Sequence, residues 1–359
     1  MCLLKRNHNA TVVMTTFASA APMGQQHYER ALFAALQALD SSVQVTSRVI
    51  RSIRSRLEGD VRMPLSLLGV SGIVAKASAA WAYRGAEVVH RCDLRLPPAL
   101  DAAREVVTIH DLAFWHFGDE GAEPTSSLRL LNRSRLVLTP SEFSARECRQ
   151  VLGLPDVRAI HNGVDPAFFS APHLTHRQRE QWGLEGRYVF YGGGSTQRKN
   201  LRALADAWRY VAAAVPDVVL VLAGPEDARK ERLFANVPRA RMVGRLPRDV
   251  QVSAVAAADA LVVPSLYEGF GFPAVEAMAA GTAVVAANRA SLPEICGDAA
   301  LLTEPTPEGL ADGLLTVLTD EERRQGLVAR GAIRAPHFSW AECARKHLAV
   351  YAELLAGSA

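Results

Sequence analysis

Cysteine is scarce in this chain: five in 359 residues, at positions 2, 92, 148, 296 and 343, with no C-x-x-C pair among them. That excludes a disulfide scaffold and a zinc knuckle, and points to a reducing compartment. Long apolar runs are also missing. The nearest, PLSLLGVSGIVAKASAAWAY (64–83), is broken by glycines, serines and Lys76, and falls short of the roughly 20 uninterrupted apolar residues of a membrane-spanning helix. It reads as a loop and a packed helix. The opening MCLLKRNHNA has too short an apolar run for a signal peptide, so a cytoplasmic protein is expected. Neither sign of charge is in excess: 40 Lys and Arg face 37 Asp and Glu, for a net charge of +3. Bulk electrostatics therefore do not imply nucleic acid. No D-x-D triplet occurs, so no carboxylate-held divalent cation is indicated.

What is present is alternation. A length of 359 residues exceeds a single core and implies two domains of roughly 150–180 residues. Apolar runs at TVVMTTF (11–17), EVVHR (87–91), EVVTIHD (105–111), SRLVLTP (134–140) and VRAIHNG (157–163) read as strands separated by helices. One of those helices, EFSARECRQVLG, has Ser141 as its expected N-cap. A polar, proline-containing stretch (164–187) reads as a linker. A second series then starts with RYVFYGG (187–193) and continues through VVLVLAGP (218–225), ARMVGRL (240–246), ALVVPS (260–265) and TAVVAAN (282–288). The expected fold is α/β, two Rossmann-like domains facing each other across a cleft. Residues 1–166 form the first and 167–336 the second, and the tail (337–359) reads as an amphipathic helix. In that helix Trp340, Ala344, Leu348, Tyr351 and Leu355 lie along one side.

Residues 191–200, YGGGSTQRKN, place Arg198 and Lys199 where a helix begins, since Leu201, Leu204, Trp208 and Val211 follow at helical spacing. A helix N-terminus already carries about half a positive charge. The segment fails the G-x-x-x-x-G-K-[ST] pattern, with no second glycine before Lys199 and with Asn200 at its hydroxyl, and it fails G-x-G-x-x-G at Gln197. Glycines, exposed amides and two cations still describe an anion site. As solvated surface residues the same cations would cost only tenths of a kcal/mol.

A second segment, ALVVPSLYEGFGFPAVEAMAAG (260–281), breaks the tie. Here a strand ends at Pro264, a glycine-rich loop carries Glu268, Pro273 opens a helix and Gly281 closes it. Free amides are expected around Phe270, Gly271 and Phe272, with Glu276 in the first helical turn. Both acids then face the strand ends where ligands bind in open α/β sheets. The bland alternative makes Glu276 a dipole-favoured acid and Glu268 a solvated loop residue.

SLYEGFGFPAVEAMAAGTAVVAANRASLPEICGDAALL (265–302) resembles the E-x7-E signature of retaining, family 4 glycosyltransferases of the GT-B fold (the group 1 glycosyltransferases), which use nucleotide-sugar donors. YGGGSTQRKNL, LVLAGP, MVGRLP, TIHDL (108–112), TPSEFS…IHNGVD (139–165) and FSWAECARKHLAVY follow the family's order, and the resemblance implies that the last (helix 337–359) crosses back to join the first domain. The resemblance implies that Arg198 and Lys199 hold the donor diphosphate, Glu276 the ribose hydroxyls, and Glu268 the donor sugar beside the amides of Phe270, Gly271 and Phe272. It implies that Gly193 and Gly194 approach the phosphates and that Gly244 and Leu246 border the base. His110 would reach toward the sugar, and Gly24 would let the first loop approach the diphosphate. The family shows two adjacent glycines at that loop where this chain has Met23-Gly24.

The implied activity is metal-independent, retaining transfer of a hexose from a UDP- or GDP-sugar to a glycan, lipid-linked or small-molecule acceptor, with no cofactor and no metal. HDLAFWHF resembles segments of mannosyl- and other hexosyltransferases of polysaccharide pathways. Two alternatives share the motifs: an epimerase or hydrolase of the nucleotide sugar, and an inactive nucleotide-sugar-binding scaffold. SRVIRSIRSR (47–56), taken as a helix, aligns Arg48, Arg51 and Arg54 in a basic stripe. That stripe would suit peripheral contact with an anionic inner membrane face, or a plain solvated surface.

Overall fold

Strands such as Val88–Arg91, Leu136–Thr139 and Ala283–Ala287 are buried at every residue. Apolar, β-branched-rich runs of this kind satisfy a parallel sheet covered on both faces. The computed structural model describes residues 10–19, 24–64, 72–121, 131 and 136–357. Within it lie two wholly parallel sheets, in two compact units.

The first unit takes in Met1–Leu112, Ala122–Gly163 and Trp340–Ala359. Its strands are β1 (Ala10–Phe17), β2 (Val43–Ser52), β3 (Val61–Met63), β4 (Val88–Arg91), β5 (Glu105–Thr108), β6 (Leu136–Thr139) and β7 (Val157–Ala159), in the order β3-β2-β1-β4-β5-β6-β7. The chain builds outward from β1 and then returns to its other side, so a switch point falls between β1 and β4. Ser141 caps the helix Glu142–Leu152 by accepting from the Ser144 amide, as its sequence implies. The terminal helix Trp340–Ala356 buries Trp340, Cys343, Ala344, His347, Val350, Tyr351 and Leu354. Leu348 and Leu355, expected on its inner side, lie half-buried at the flank. The inner face is rotated toward His347 because that imidazole finds buried partners, described below.

One sequence expectation is corrected here. The arginine-rich run is strand rather than helix. Val43, Val45, Thr46, Val49 and Ile50 pair along β1 in β2, and β-branched residues at this density favour the pleated surface. The basic stripe is therefore not formed: Arg48 donates to the carbonyls of Ala82 and Arg84 at 2.6 and 2.8 Å, Arg51 donates to Leu57 O, and Arg54 stands in the loop beyond. Of the segment 64–83, residues 65–71 lie outside the described residues, and Gly72–Ala82 is the helix.

The second unit takes in Ala113–Gly121 and Val164–Ser339. Its strands β8 (Arg187–Gly192), β9 (Val218–Ala223), β10 (Ala240–Gly244), β11 (Ala260–Val263), β12 (Ala283–Ala287) and β13 (Leu301–Thr303) lie in the order β10-β9-β8-β11-β12-β13. The switch point is between β8 and β11. Leu201, Leu204, Trp208 and Val211 point into one core on this sheet, and Trp208 Nε1 donates to Pro238 O at 3.0 Å. The expected linker is part of the unit. Val164, Phe168, Leu174 and Leu184 enter its other core beside Tyr188 and Phe190, while Thr175 and Gln178 form a reciprocal capping box on the helix His176–Trp182. Its polar residues are caps, which a reading by composition took for a tether.

Candidate active site

At the C-terminal end of β8 the chain turns through Gly193 and Gly194 into a short 3-10 helix, Gln197–Lys199. Asn200 then adopts a left-handed conformation, φ 53°, and the helix Leu201–Ala214 follows. Asn200 tolerates that geometry better than most residues. Its Nδ2 donates to Pro264 O at 3.1 Å and to Pro305 O at 2.8 Å, fixing the turn to the end of β11. Arg198 and Lys199 therefore stand ahead of the helix rather than on its dipole, turned toward the β11 loop, where Leu266 N donates to Arg198 O at 2.7 Å.

Glu268 lies between them. Arg198 Nη1 reaches its Oε2 at 3.0 Å and Lys199 Nζ its Oε1 at 2.7 Å. Ser265 Oγ donates to Oε1 at 2.7 Å. Only 7% of Glu268 is exposed, so the bland reading of a solvated loop acid is overturned. Burial alone would push its carboxyl up; Lys199 and Arg198 overcome this and hold it to about 2. Ser291 Oγ donates to the carbonyls of Glu268 and Phe270, holding the loop's backbone.

Two further carboxylates come from Ala113–Gly121. Glu120 Oε1 accepts from Arg198 Nε at 2.7 Å. Asp119 Oδ2 accepts from the Gln197 amide at 2.8 Å and from Arg229 Nη1 at 2.6 Å. Arg198 and Lys199 are thus already balanced in charge by Glu268 and Glu120.

The ends of β8 and β9 are locked together. Gly224, at φ +119°, has room for no side chain: a Cβ there would stand 2.3 Å from Gly193 O. That same oxygen accepts from Lys230 Nζ at 2.9 Å, and Lys230, 3% exposed, also reaches Pro225 O at 3.3 Å. Gly224 N donates to Gly244 O at 2.9 Å. A cavity of about 460 Å³ opens between these strand ends, lined by Trp182, Gly224, Glu226, Lys230, Met242 and Gly244.

On the far side of the Glu268 loop, Gly271 (φ 106°) precedes the helix Phe272–Ala279. Phe272 is its first residue and Pro273 its second, so Glu276 stands beyond the first turn, where it was not expected. The dipole does not account for it there. Burial pushes its carboxyl up to about 7, against the pull of Arg248. Both Arg248 Nη atoms lie 3.4 Å from Glu276 Oε1.

Residues 174–334 match the family described as Glycosyl transferases group 1, and residues 2–168 match Glycosyltransferase Family 4. The O-antigen chain mannosyltransferase B of Escherichia coli is 31% identical over 293 residues, 76% of each chain. The chain belongs to the group 1, family 4 glycosyltransferases. A phosphatidyl-myo-inositol mannosyltransferase of Mycolicibacterium smegmatis is 34% identical over 59% of this chain and 55% of its own. In structure, the chain is similar to a sucrose-phosphate synthase from Thermosynechococcus elongatus, with a TM-score of 0.77 at 22% identity over 97% and 100% of the two chains. It is likewise similar to a glycosyltransferase from Rickettsia africae, with a TM-score of 0.74 at 16% identity over 96% and 98%. These likenesses establish the two-domain, Rossmann-like GT-B fold.

Within this glycosyltransferase the structure brings Arg198, Lys199 and Glu268 into direct contact and sets Gly193 and Gly194 immediately before them. Gly244 lines the adjoining cavity, whereas Leu246 is half-buried against the core. The ring of Phe270 packs with Phe272 and Phe338 at centroid distances of 5.2 and 5.7 Å, so a ligand would meet its backbone rather than its ring. Glu276 shares no direct contact with the Glu268 cluster among the described residues; its partner is Arg248.

In the first unit His110 follows β5, edge-on to Tyr28 at 4.7 Å. Its Nε2 is buried and, among the described residues, accepts and donates no hydrogen bond. Burial, opposed by Asp93, brings its pKa to about 4, so the ring is neutral. A buried polar atom without a partner is expected where a ligand completes the site. Gly24 is exposed as the first residue of the helix Gly24–Gln37, and Met23 lies outside the described residues. Sequence reasoning missed Asp119, Glu120, Lys230 and Arg248, whose partners are distant in the chain and carry no local signal.

Proposed function

We propose that the enzyme transfers mannose, with retention of anomeric configuration, from a nucleoside-diphosphate sugar to a glycan or lipid-linked acceptor. The pairing of Arg198 and Lys199 through the buried Glu268, at the β8/β11 switch point, carries this reading. Open α/β sheets bind phosphate-bearing ligands at such a point. The mannosyltransferase names of the Escherichia coli and Mycolicibacterium smegmatis relatives support the choice of hexose.

In the reaction the bond from the anomeric carbon to the diphosphate oxygen breaks. The acceptor hydroxyl oxygen forms the new bond on the same face of the sugar, and its proton passes to the departing phosphate oxygen. Negative charge grows on the diphosphate as that bond lengthens. Glu268 holds Arg198 and Lys199 in place before substrate arrives, so once the diphosphate has displaced Glu120 they stabilise that charge with little further reorganisation. They also supply the positive charge for which other enzymes use a divalent cation. The Glu268 carboxylate, ionised at any physiological pH, keeps the two cations together and lies beside the sugar. Glu276 accepts from the ribose hydroxyls, and in the first unit the neutral His110 leaves its buried Nε2 for a hydroxyl of a bound ligand.

The test is thermal unfolding with UDP, GDP, ADP and their hexose conjugates, in chelator. A nucleotide at 100 times its dissociation constant should add about 2.7 kcal/mol, and Glu276→Ala should abolish the shift. Turnover of the matching GDP- or UDP-mannose should survive the chelator. Absence of any shift would refute the donor site; a shift with turnover only after Mg²⁺ or Mn²⁺ is restored would refute the metal-independent part.

A further inference from the structure

Glu276 is held from one side only. Its Oε1 faces Arg248 at 3.4 Å, longer than a strong ion pair, and its Oε2 accepts no hydrogen bond among the described residues. Arg248 itself is fixed by two residues. Its Nη2 donates to Asp165 Oδ2 at 2.7 Å and its Nε to the same oxygen at 3.3 Å. Its guanidinium carbon lies 4.8 Å from the centroid of Phe168, a ring that is 1% exposed. Asp165 is immobilised in turn, because its Oδ1 accepts from the Ala167 amide at 3.0 Å. The chain of contacts runs Ala167–Asp165–Arg248–Glu276 and ends on a carboxylate oxygen with no partner.

We propose that Arg248 is a positioning residue for nucleotide binding: clamped by Asp165 and Phe168, it keeps the Glu276 carboxylate charged and turned so that Oε2 is left for the ribose hydroxyls. This rests on the reading of Glu276 as the ribose acceptor. The electrostatics agree with the geometry. Burial disfavours the charged form of Glu276, Arg248 favours it, and Asp165 opposes it. Arg248 and Asp165 are the charged groups that bear on this carboxyl. The other charged side chains on elements packed against the Glu276 helix are Asp249 beside Arg248, Glu294, His337 and those of Glu321–Arg334. Of these, Arg334 is turned to the carbonyls of Ile295 and Glu294, and Arg330 to that of Asp298. One guanidinium thus serves two carboxylates, which leaves Glu276 titrating near neutrality and makes the donor site sensitive to any change in Arg248.

The experiment measures dissociation constants of the full chain for UDP, GDP and inorganic pyrophosphate between pH 5.5 and 9. A protonated Glu276 cannot accept from the ribose, so the affinity of the nucleotide that binds should fall about tenfold per pH unit below 7. Pyrophosphate, which has no ribose, should lack that component. Arg248→Met should move the midpoint upward by about one pH unit, weakening binding about fivefold at pH 7 and little at pH 9. Arg248→Lys should restore most of the wild-type profile. Asp165→Asn removes the opposing charge and should move the midpoint downward, a gain at low pH that a merely unfolded variant cannot show. Glu276→Gln should bind weakly with no slope. A wild-type profile in both Arg248→Met and Asp165→Asn would overturn the role of Arg248 while leaving the ribose reading intact. Undiminished nucleotide affinity in Glu276→Gln would overturn the ribose reading itself.

Discussion

His90 and His347 are 0% and 1% exposed within the first unit and sit in a closed network. His347 Nδ1 donates to Cys343 O at 2.8 Å, which leaves its Nε2 to accept from Tyr28 OH at 3.1 Å. His90 meets Tyr351 OH and Thr108 Oγ1, each at 2.7 Å. Among the described residues neither ring meets a carboxylate to compensate a second proton. Burial, with the neighbouring imidazoles, lowers His90 well below its usual value; burial brings His347 to about 4, as it does His110. A histidine lowered in this way contributes stability that is present above its unfolded pKa, near 6.5, and is lost as the pH falls through it. Going from pH 7 to pH 5, each such histidine withdraws about 2 kcal/mol. Glu29 acts in the opposite sense: burial raises it to about 8, so acid stabilises its folded form by about 2–3 kcal/mol over the same range. The first unit should therefore lose about 3 kcal/mol net. In the second unit Glu276, raised to about 7, should contribute a gain of about 2 kcal/mol, and Glu268, held to about 2, almost nothing until the pH is lower still.

Acid should thus loosen one unit and tighten the other, which hydrogen exchange resolved by peptide can follow at both pH values. Protection of the terminal helix Trp340–Ala356 should fall while that of β8, β11 and β12 holds or rises. His347→Gln should recover about 2 kcal/mol of the acid loss. Equal destabilisation of both units, or a first unit indifferent to pH 5, would refute the reasoning.

Two further predictions concern the donor site. A phosphate that takes the place of Glu120 on Arg198 Nε must break a charge-assisted hydrogen bond worth about 1.5–3 kcal/mol. Glu120→Gln should therefore tighten pyrophosphate or nucleotide binding by about 10- to 150-fold in a calorimetric titration, and weaker binding would show that Glu120 orients Arg198 instead. Gly224→Ala combines φ +119° with a Cβ 2.3 Å from Gly193 O, and should cost about 3 kcal/mol or more in thermal unfolding. Gly194→Ala meets nothing within 4 Å and should change stability by less than about 1 kcal/mol.

The sequence by itself determined most of the elements and their order, though β2, β3 and β13 went unread. Buried parallel strands must be short apolar runs and their covering helices must repeat every three to four residues, so the two series were legible from periodicity. The spacing of Glu268 and Glu276, and the Arg198–Lys199 pair after its glycines, were legible as motifs because their chemistry is compressed into a few residues. The β2 strand was misread where an arginine spacing outweighed β-branched density, and residues 164–187 where capping residues looked like a tether.

What only the tertiary structure decided is which charges meet. Glu120 and Arg198 are 78 residues apart, Glu268 and Arg198 are 70, and Arg248 and Asp165 are 83. His90 and Tyr351 are separated by 261 residues. Periodicity reports the burial of a residue within its own element and says nothing of the distance to another. An ion pair depends on that distance, through Coulomb's law, and on how much water remains between the groups. Hence the cations of YGGGSTQRKN were legible as charges, but their internal carboxylates, the clamp on Glu276 and the neutral histidines came only with the folded sheets.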